Sequence, residues 1–222
     1  MDLKTWNSNL KNLREILLKK DKIEESKSLF LKLHSMVHSS DMSGIREKTF
    51  EDELWEGLDE EKFKTATNEK GRTIAYGIWH STRIEDITMN LLVEGDTQVL
   101  NSGNWKEKIN SIINDTGNAL NEEEILEFSK NINMQELKNY RIAVGRKTQE
   151  IVKKLTYEDM KKKFNKAQLK RIIDEGAVLD VEGSNWLIDF WGKKNVAGIL
   201  LMPGTRHHLV HLNESFRAKK KA

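Results

Sequence analysis

Apolar positions along the chain recur at separations of three and four with little strict alternation, which is the pattern of amphipathic helices rather than strands. Phe30, Leu33 and Val37 mark a first core helix over about 24–40 that breaks at SSDMSG, with a shorter helix before it at about 4–19. Ile84, Ile87 and Leu91 give a second helix over about 73–94, stopped by Gly95. Leu137, Val144, Ile151 and Leu155 give a third over about 134–155. A last helix starts near Lys193 and passes through Val196 and Leu200 into RHHLVHLNESF. Pro203 predicts a kink or break inside it, because proline lacks a backbone donor and frees a carbonyl near Ile199. Between the second and third helices, NWKEKINSII and NEEEILEFSKNI read as a helical insertion, the latter opening on a near capping box of Asn121 and Glu124.

None of these stripes can be buried by its own helix, whereas four such helices packed antiparallel bury one another's. The expected fold is all-α: one domain over 1–222, built as an antiparallel four-helix bundle with a core over about 24–216 and a short helical insertion. A single proline in 222 residues agrees with that expectation.

Composition narrows the chemistry. With no cysteine, a disulfide framework, a Cys-ligated metal site and a cysteine nucleophile are excluded, so any thiol chemistry needs a thiol cosubstrate. Lys and Arg number 37 against 35 Asp and Glu, with the signs interleaved, and no aromatic residues alternate with basic ones, so nucleic acid is not an expected partner. The basic stretches KKLTYEDMKKKFNKAQLKR and RAKKKA read as a solvated helix face and a frayed terminus. No signal-like or membrane-spanning apolar run is present, which makes a soluble cytoplasmic protein the expectation.

The six histidines change the picture. Four of them form two H-x-x-x-H pairs, His34 with His38 and His207 with His211, where random placement gives about 0.16 such pairs. Side chains four apart on a helix lie one above the other, so two imidazoles can converge on one ion. In a regular helix Val196, Leu200, Pro203 and His207 share a face, which turns His207 and then His211 toward the core. His208 is then expected to face away with Leu201 and Leu212, and its replacement to be silent. Tyr76, His80, Ile84, Ile87 and Leu91 share another face and turn His80 inward. His80, His207 and His211 thus form a candidate three-imidazole site for zinc, nickel or iron, with a coordination position left for water or substrate. His34 and His38 sit at the edge of their stripe, as a further metal pair or as a polar boundary or cavity wall. Arg83 and Arg206 are candidates to hold an anionic substrate, and Glu85, Asp86 and Glu214 to orient a ligand imidazole through its other nitrogen. Trp79 and Trp191 read as packing residues.

The segments GIWHSTRIEDITMNLLV and VAGILLMPGTRHHLVHLNES together resemble the DinB-like superfamily of metal-binding four-helix bundles. The resemblance implies one divalent ion held by His80, His207 and His211 at the open end of the bundle, and a small-molecule substrate. It also implies thiol S-transfer, in which the metal activates a low-molecular-weight thiol such as bacillithiol, or hydrolysis, and a homodimer. In this chain LNES follows the last histidine, where the family more typically has HRGQ. Two rival readings stand beside it: a non-catalytic helical module for binding or dimerisation, and a metal-free cluster of core histidines.

Overall fold

The computed structural model describes residues 1–221, and its regular structure is helical throughout. The chain begins with α1 (Leu3–Ile16), α2 (Ile23–Met36) and the short α3 (Ser40–Ser43), α4 (Phe50–Trp55) and α5 (Glu60–Thr65). It continues with α6 (Ile74–Asp86), which runs on into a π-helical stretch over Ile87–Glu94. Next come α7 (Trp105–Ile109), α8 (Glu122–Asn131), α9 (Met134–Lys154), α10 (Tyr157–Lys161), α11 (Lys166–Asp174) and α12 (Glu182–Gly192). The last helical rod is α13 (Val196–Leu201), a π-helical turn over Met202–Arg206, and α14 (His207–Lys221). Among the described residues no strand forms, and no helix is long and apolar enough to cross a membrane.

The all-helical class is as expected, but the chain is divided into more segments than four long helices and one insertion. The reason is local. Capping boxes at Thr49 with Asp52, Thr156 with Asp159 and Asn165 with Gln168 each start a helix too short for apolar spacing to reveal. The box at Asn121 and Glu124 that the sequence suggested is present at the start of α8.

Helix α6 is the axis of the molecule. All of its residues are buried, and α14, α9, α5 and α8 pack around it. Helix α2 lies against α1, α9 and the 202–206 turn, and the Trp6 indole ties α1 to it by donating to Leu33 O at 3.0 Å. The buried apolar side chains form one continuous cluster.

One buried cation binds these helices together. Arg141 on α9 donates to Glu51 Oε2 (2.6 Å), Ser81 Oγ (3.1 Å), Thr82 Oγ1 (3.0 Å) and Val37 O (2.9 Å), so a single guanidinium joins α4, α6 and the end of α2. Contrary to the expected fraying, the described part of the basic tail, through Lys221, belongs to α14. Ala218 is buried, and Lys219 Nζ donates to Leu54 O at 2.8 Å, placing a cation at the carbonyl end of α4 where the helix dipole favours it. The other basic stretch carries exposed lysines on and before α11, as a solvated face should.

Candidate metal centre

The π-helical turn decides where the last three histidines point. Pro203 cannot donate, and Thr205 Oγ1 donates to the carbonyls of Leu200 and Leu201 at 3.0 Å each. The His207 N–H reaches back to Met202 O, five residues earlier, instead of four. A π turn holds one more residue than an α turn, which offsets all that follows by about 100°. The strip begun by Val196 and Leu200 is therefore continued by His208 (0% exposed) and Leu212 (1%). His207 and His211 lie beside it, facing His80. The expectation that His208 faces solvent is thus overturned by the extra residue in the turn.

His80, His207 and His211 come together with one ligand atom from each within 4.8 Å of the others. Thr73 caps α6 by accepting from the Tyr76 N–H, and this fixes the start of the helix about two turns before His80. His80 Nδ1 lies 2.8 Å from Thr116 O. A carbonyl only accepts, so Nδ1 carries the proton and the Nε2 lone pair is free. His211 Nδ1 stands 3.1 Å from Glu214 Oε2, and Glu214 is in turn held by Lys70 Nζ (2.8 Å) and Arg72 Nη1 (3.1 Å). Partners of this kind on the far nitrogen orient metal-binding imidazoles. His207 Nε2 and His211 Nε2 are 3.1 Å apart, and two nitrogens at about 2.0–2.1 Å from one zinc ion are about 3.0–3.4 Å from each other.

Burial sets the protonation. It pushes His80 down to about 3, with the neighbouring His211 adding to the effect, and it holds His207 well below the usual imidazole range. His211 is lowered by burial as well, against the pull of Glu214. Burial opposes the Glu214 charge, but His211 and Lys70 outweigh it and keep this carboxylate below its ordinary value. The three imidazoles are neutral at pH 7, so a cation need displace no proton from them.

These rings form part of the wall of a cavity of about 240 Å³. Trp186, Phe190 and Trp191 of α12 and Met202 and Pro203 of the π turn supply its apolar side, and Arg72 and Asn118 its polar one. Trp186 is 53% exposed at the mouth. The site is reachable by a small molecule, and its pocket is mainly apolar with a few polar groups, as ligand pockets generally are.

A second cluster lies deeper. Glu85 of α6 meets His34 Nε2 at 2.7 Å, His38 Nε2 at 3.0 Å and His208 Nε2 at 2.9 Å, and all four side chains are fully buried. Gly145 of α9 makes the room, since a Cβ there would come within 3.1 Å of His38 Nδ1. Burial pushes His38 and His208 down to about 3 although Glu85 opposes it. Glu85 itself stays ionised: burial works against the charge, and the facing imidazoles more than compensate.

The remaining candidates lie elsewhere. Arg83 is buried and engaged by Asp86 Oδ2 (2.9 Å), Tyr140 OH (2.9 Å), Asn114 O (3.0 Å) and Gln98, which leaves it no role toward a substrate in the cavity. Asp86 turns away from the histidines, accepting from Arg83, Tyr140 OH, Asn90 and the N–H groups of Val99 and Leu100. Arg206 is exposed and outside the cavity wall. Trp79 packs in the core and donates to Asp115 O at 3.1 Å, whereas Trp191, expected only to pack, also lines the cavity. Sequence spacing missed His208 and the aromatic face of α12; the one local signal for His208 was a proline inside a helix just before consecutive histidines.

No protein-family model and no curated protein matches the chain.

The buried imidazoles make a pH prediction for the metal-free protein. Unfolded histidines take up protons near pH 6.5, whereas His38, His80 and His208 stay neutral until about 3. The unfolded chain then binds more protons than the native one, so stability falls as pH falls through this window. The loss by pH 5 is about 2 kcal/mol for each such group. Urea midpoints followed by circular dichroism at pH 7 and pH 5 check it, and equal midpoints would show that these rings are not kept neutral.

Proposed function

We propose that the protein is a divalent-metal-dependent enzyme acting on a small molecule, with His80, His207 and His211 holding one ion such as zinc, nickel or iron. On this reading a low-molecular-weight thiol is the cosubstrate, and hydrolysis is the alternative reaction at the same centre. The observation that carries it is the convergence of three neutral imidazoles on the wall of an enterable cavity, with His80 Nδ1 committed to Thr116 O and His211 Nδ1 facing Glu214. Those residues fit a metal by donor type, protonation and spacing. When bound, a divalent ion supplies Lewis acidity that lowers a thiol's pKa and favours the thiolate.

The chain's own residues do the rest. Thr116 O fixes the His80 ring, and the Glu214 carboxylate stands 3.1 Å from His211 Nδ1. The aromatic wall of α12 shields the reacting atoms from bulk water and receives an apolar substrate body. Having no cysteine, the chain contributes no sulfur. The new carbon–sulfur bond forms to the cosubstrate as the bond to the leaving group breaks, and the thiol proton leaves to solvent through the mouth.

The same reading makes α2, α6 with its π continuation, α9 and the α13–α14 rod the four helices of a DinB-like antiparallel bundle, with α7 and α8 as the insertion. Its support is the closed ring of neighbours: α2 touches α9, α9 touches α6, α6 touches α14, and the turn before α14 touches α2.

Metal analysis of untagged protein tests the centre. His80→Ala and His207→Ala are each expected to lose one ion per chain, with affinity at this site down by about 100-fold or more. Undiminished stoichiometric metal in both variants would sink the assignment. Retained metal with no turnover of thiol or ester substrates would favour a binding module instead.

A further inference from the structure

We propose that His34, His38, His208 and Glu85 form a second, closed metal site, in which a divalent transition ion joins α2, α6 and α14 beneath the open centre. Three imidazoles, His34 of α2, His38 just after it and His208 of α14, meet at 2.7–3.0 Å from the Glu85 carboxylate of α6. The ring centroids of His38 lie 4.3 Å from His34 and 4.9 Å from His208, with His34 and His208 6.5 Å apart on either side of it, against 4.5 to 5.2 Å within the open group.

Hydrogen bonding alone does not account for the cluster. His34 Nε2 makes a good hydrogen bond to Oε1. The nitrogens of His38 and His208 come within 3.0 and 2.9 Å of Oε2 yet miss hydrogen-bonding directions, and Oε2 and both Nε2 atoms are left buried and without hydrogen-bond partners. Buried polar atoms are seldom abandoned in this way, and several together at contact distance mark the place of an ion.

Charge points the same way. Among the described residues no lysine or arginine pairs with Glu85, and the buried guanidinium of Arg141 is paired with Glu51. The Glu85 carboxylate is wholly shielded from water and has no lysine or arginine among the described residues to answer it, a costly arrangement that a divalent cation resolves. Imidazole and carboxylate together suit zinc or iron.

The two sites differ in kind. The open group offers three ligands and a cavity, whereas in the second His34, His38 and Glu85 converge within 4.8 Å, His208 Nε2 stands 2.9 Å from Glu85 Oε2, and all four side chains are fully buried, the distinction between catalytic and structural sites. Its work is to hold α14 in place, and with it His207, the residue next to His208.

The test uses the full, untagged chain expressed in zinc-supplemented medium and purified without chelator. We expect about two zinc ions per chain, and in crystals an anomalous peak at the zinc edge among His34, His38, His208 and Glu85. His38→Ala and Glu85→Gln should each fall to about one ion per chain, whereas His211→Ala should lose the open-site ion and keep the buried peak. Wild-type crystals with zinc at the open site alone, or at neither site, overturn the proposal whether or not the variants fold. So does an unchanged zinc count in folded His38→Ala and Glu85→Gln. A buried peak with the open site empty would sustain this proposal and remove the one on function.

Discussion

Arg141→Ala is expected to destabilise the protein by about 3–5 kcal/mol, which in a chain of this length lowers Tm by on the order of 10 °C. The guanidinium is 1% exposed and reaches Glu51, Ser81, Thr82 and the carbonyl of Val37. Its removal strands the Glu51 carboxylate, also 1% exposed, without a counter-charge and leaves Val37 O unpaired, beside the residue that presents His38. Such losses cost more than the intact pair contributes, because the abandoned partner keeps its desolvation penalty. Arg141→Lys should recover little, since one ammonium cannot reproduce a planar fork with contacts on three sides. Calorimetry at pH 7 measures both variants; a Tm within about 2 °C of wild type for Arg141→Ala would show that the clamp carries no load.

His208→Ala is the second large effect, and here the structure reverses what regular helical spacing implies. The ring is fully buried and lies 2.9 Å from Glu85 Oε2. Truncation opens a polar void beside an ionised carboxylate and should cost about 2–5 kcal/mol. His208→Asn, which keeps a donor but shortens the side chain, is expected to fall in between. Thermal unfolding separates the alternatives, because a surface histidine of the kind the sequence suggested would leave Tm unchanged.

Much of this molecule was legible before its coordinates. Period-three-and-four spacing located α2, α6, α9 and the last rod to within a few residues, and the inward stripe on α6 singled out His80 among its neighbours. What spacing hid has physical causes. Helix α6 is buried on every side, so a one-stripe view of it offered Glu85 as a partner of a ligand imidazole without placing it against His34, His38 and His208. The short helices arise from side-chain caps rather than from amphipathic faces. His208 escaped because period counting assumes an unbroken α-helix, and the turn at 202–206 inserts a residue that the count does not see. Helix α12 lacks a side-chain cap, and the cavity wall it builds comes from aromatic residues that look like ordinary core in the sequence.

His207 and His208 are consecutive, yet one faces the open group and the other the buried one. A trans peptide is planar and keeps successive Cα atoms about 3.8 Å apart, so the two imidazoles hang from a single stiff unit. A shift of this unit that draws His208 toward Glu85 also repositions His207 against His80 and His211. If each set holds an ion, the shared unit gives them a means of coupling, and any coupling is reciprocal: whatever filling one does to the affinity of the other, filling the other does in equal measure to the first.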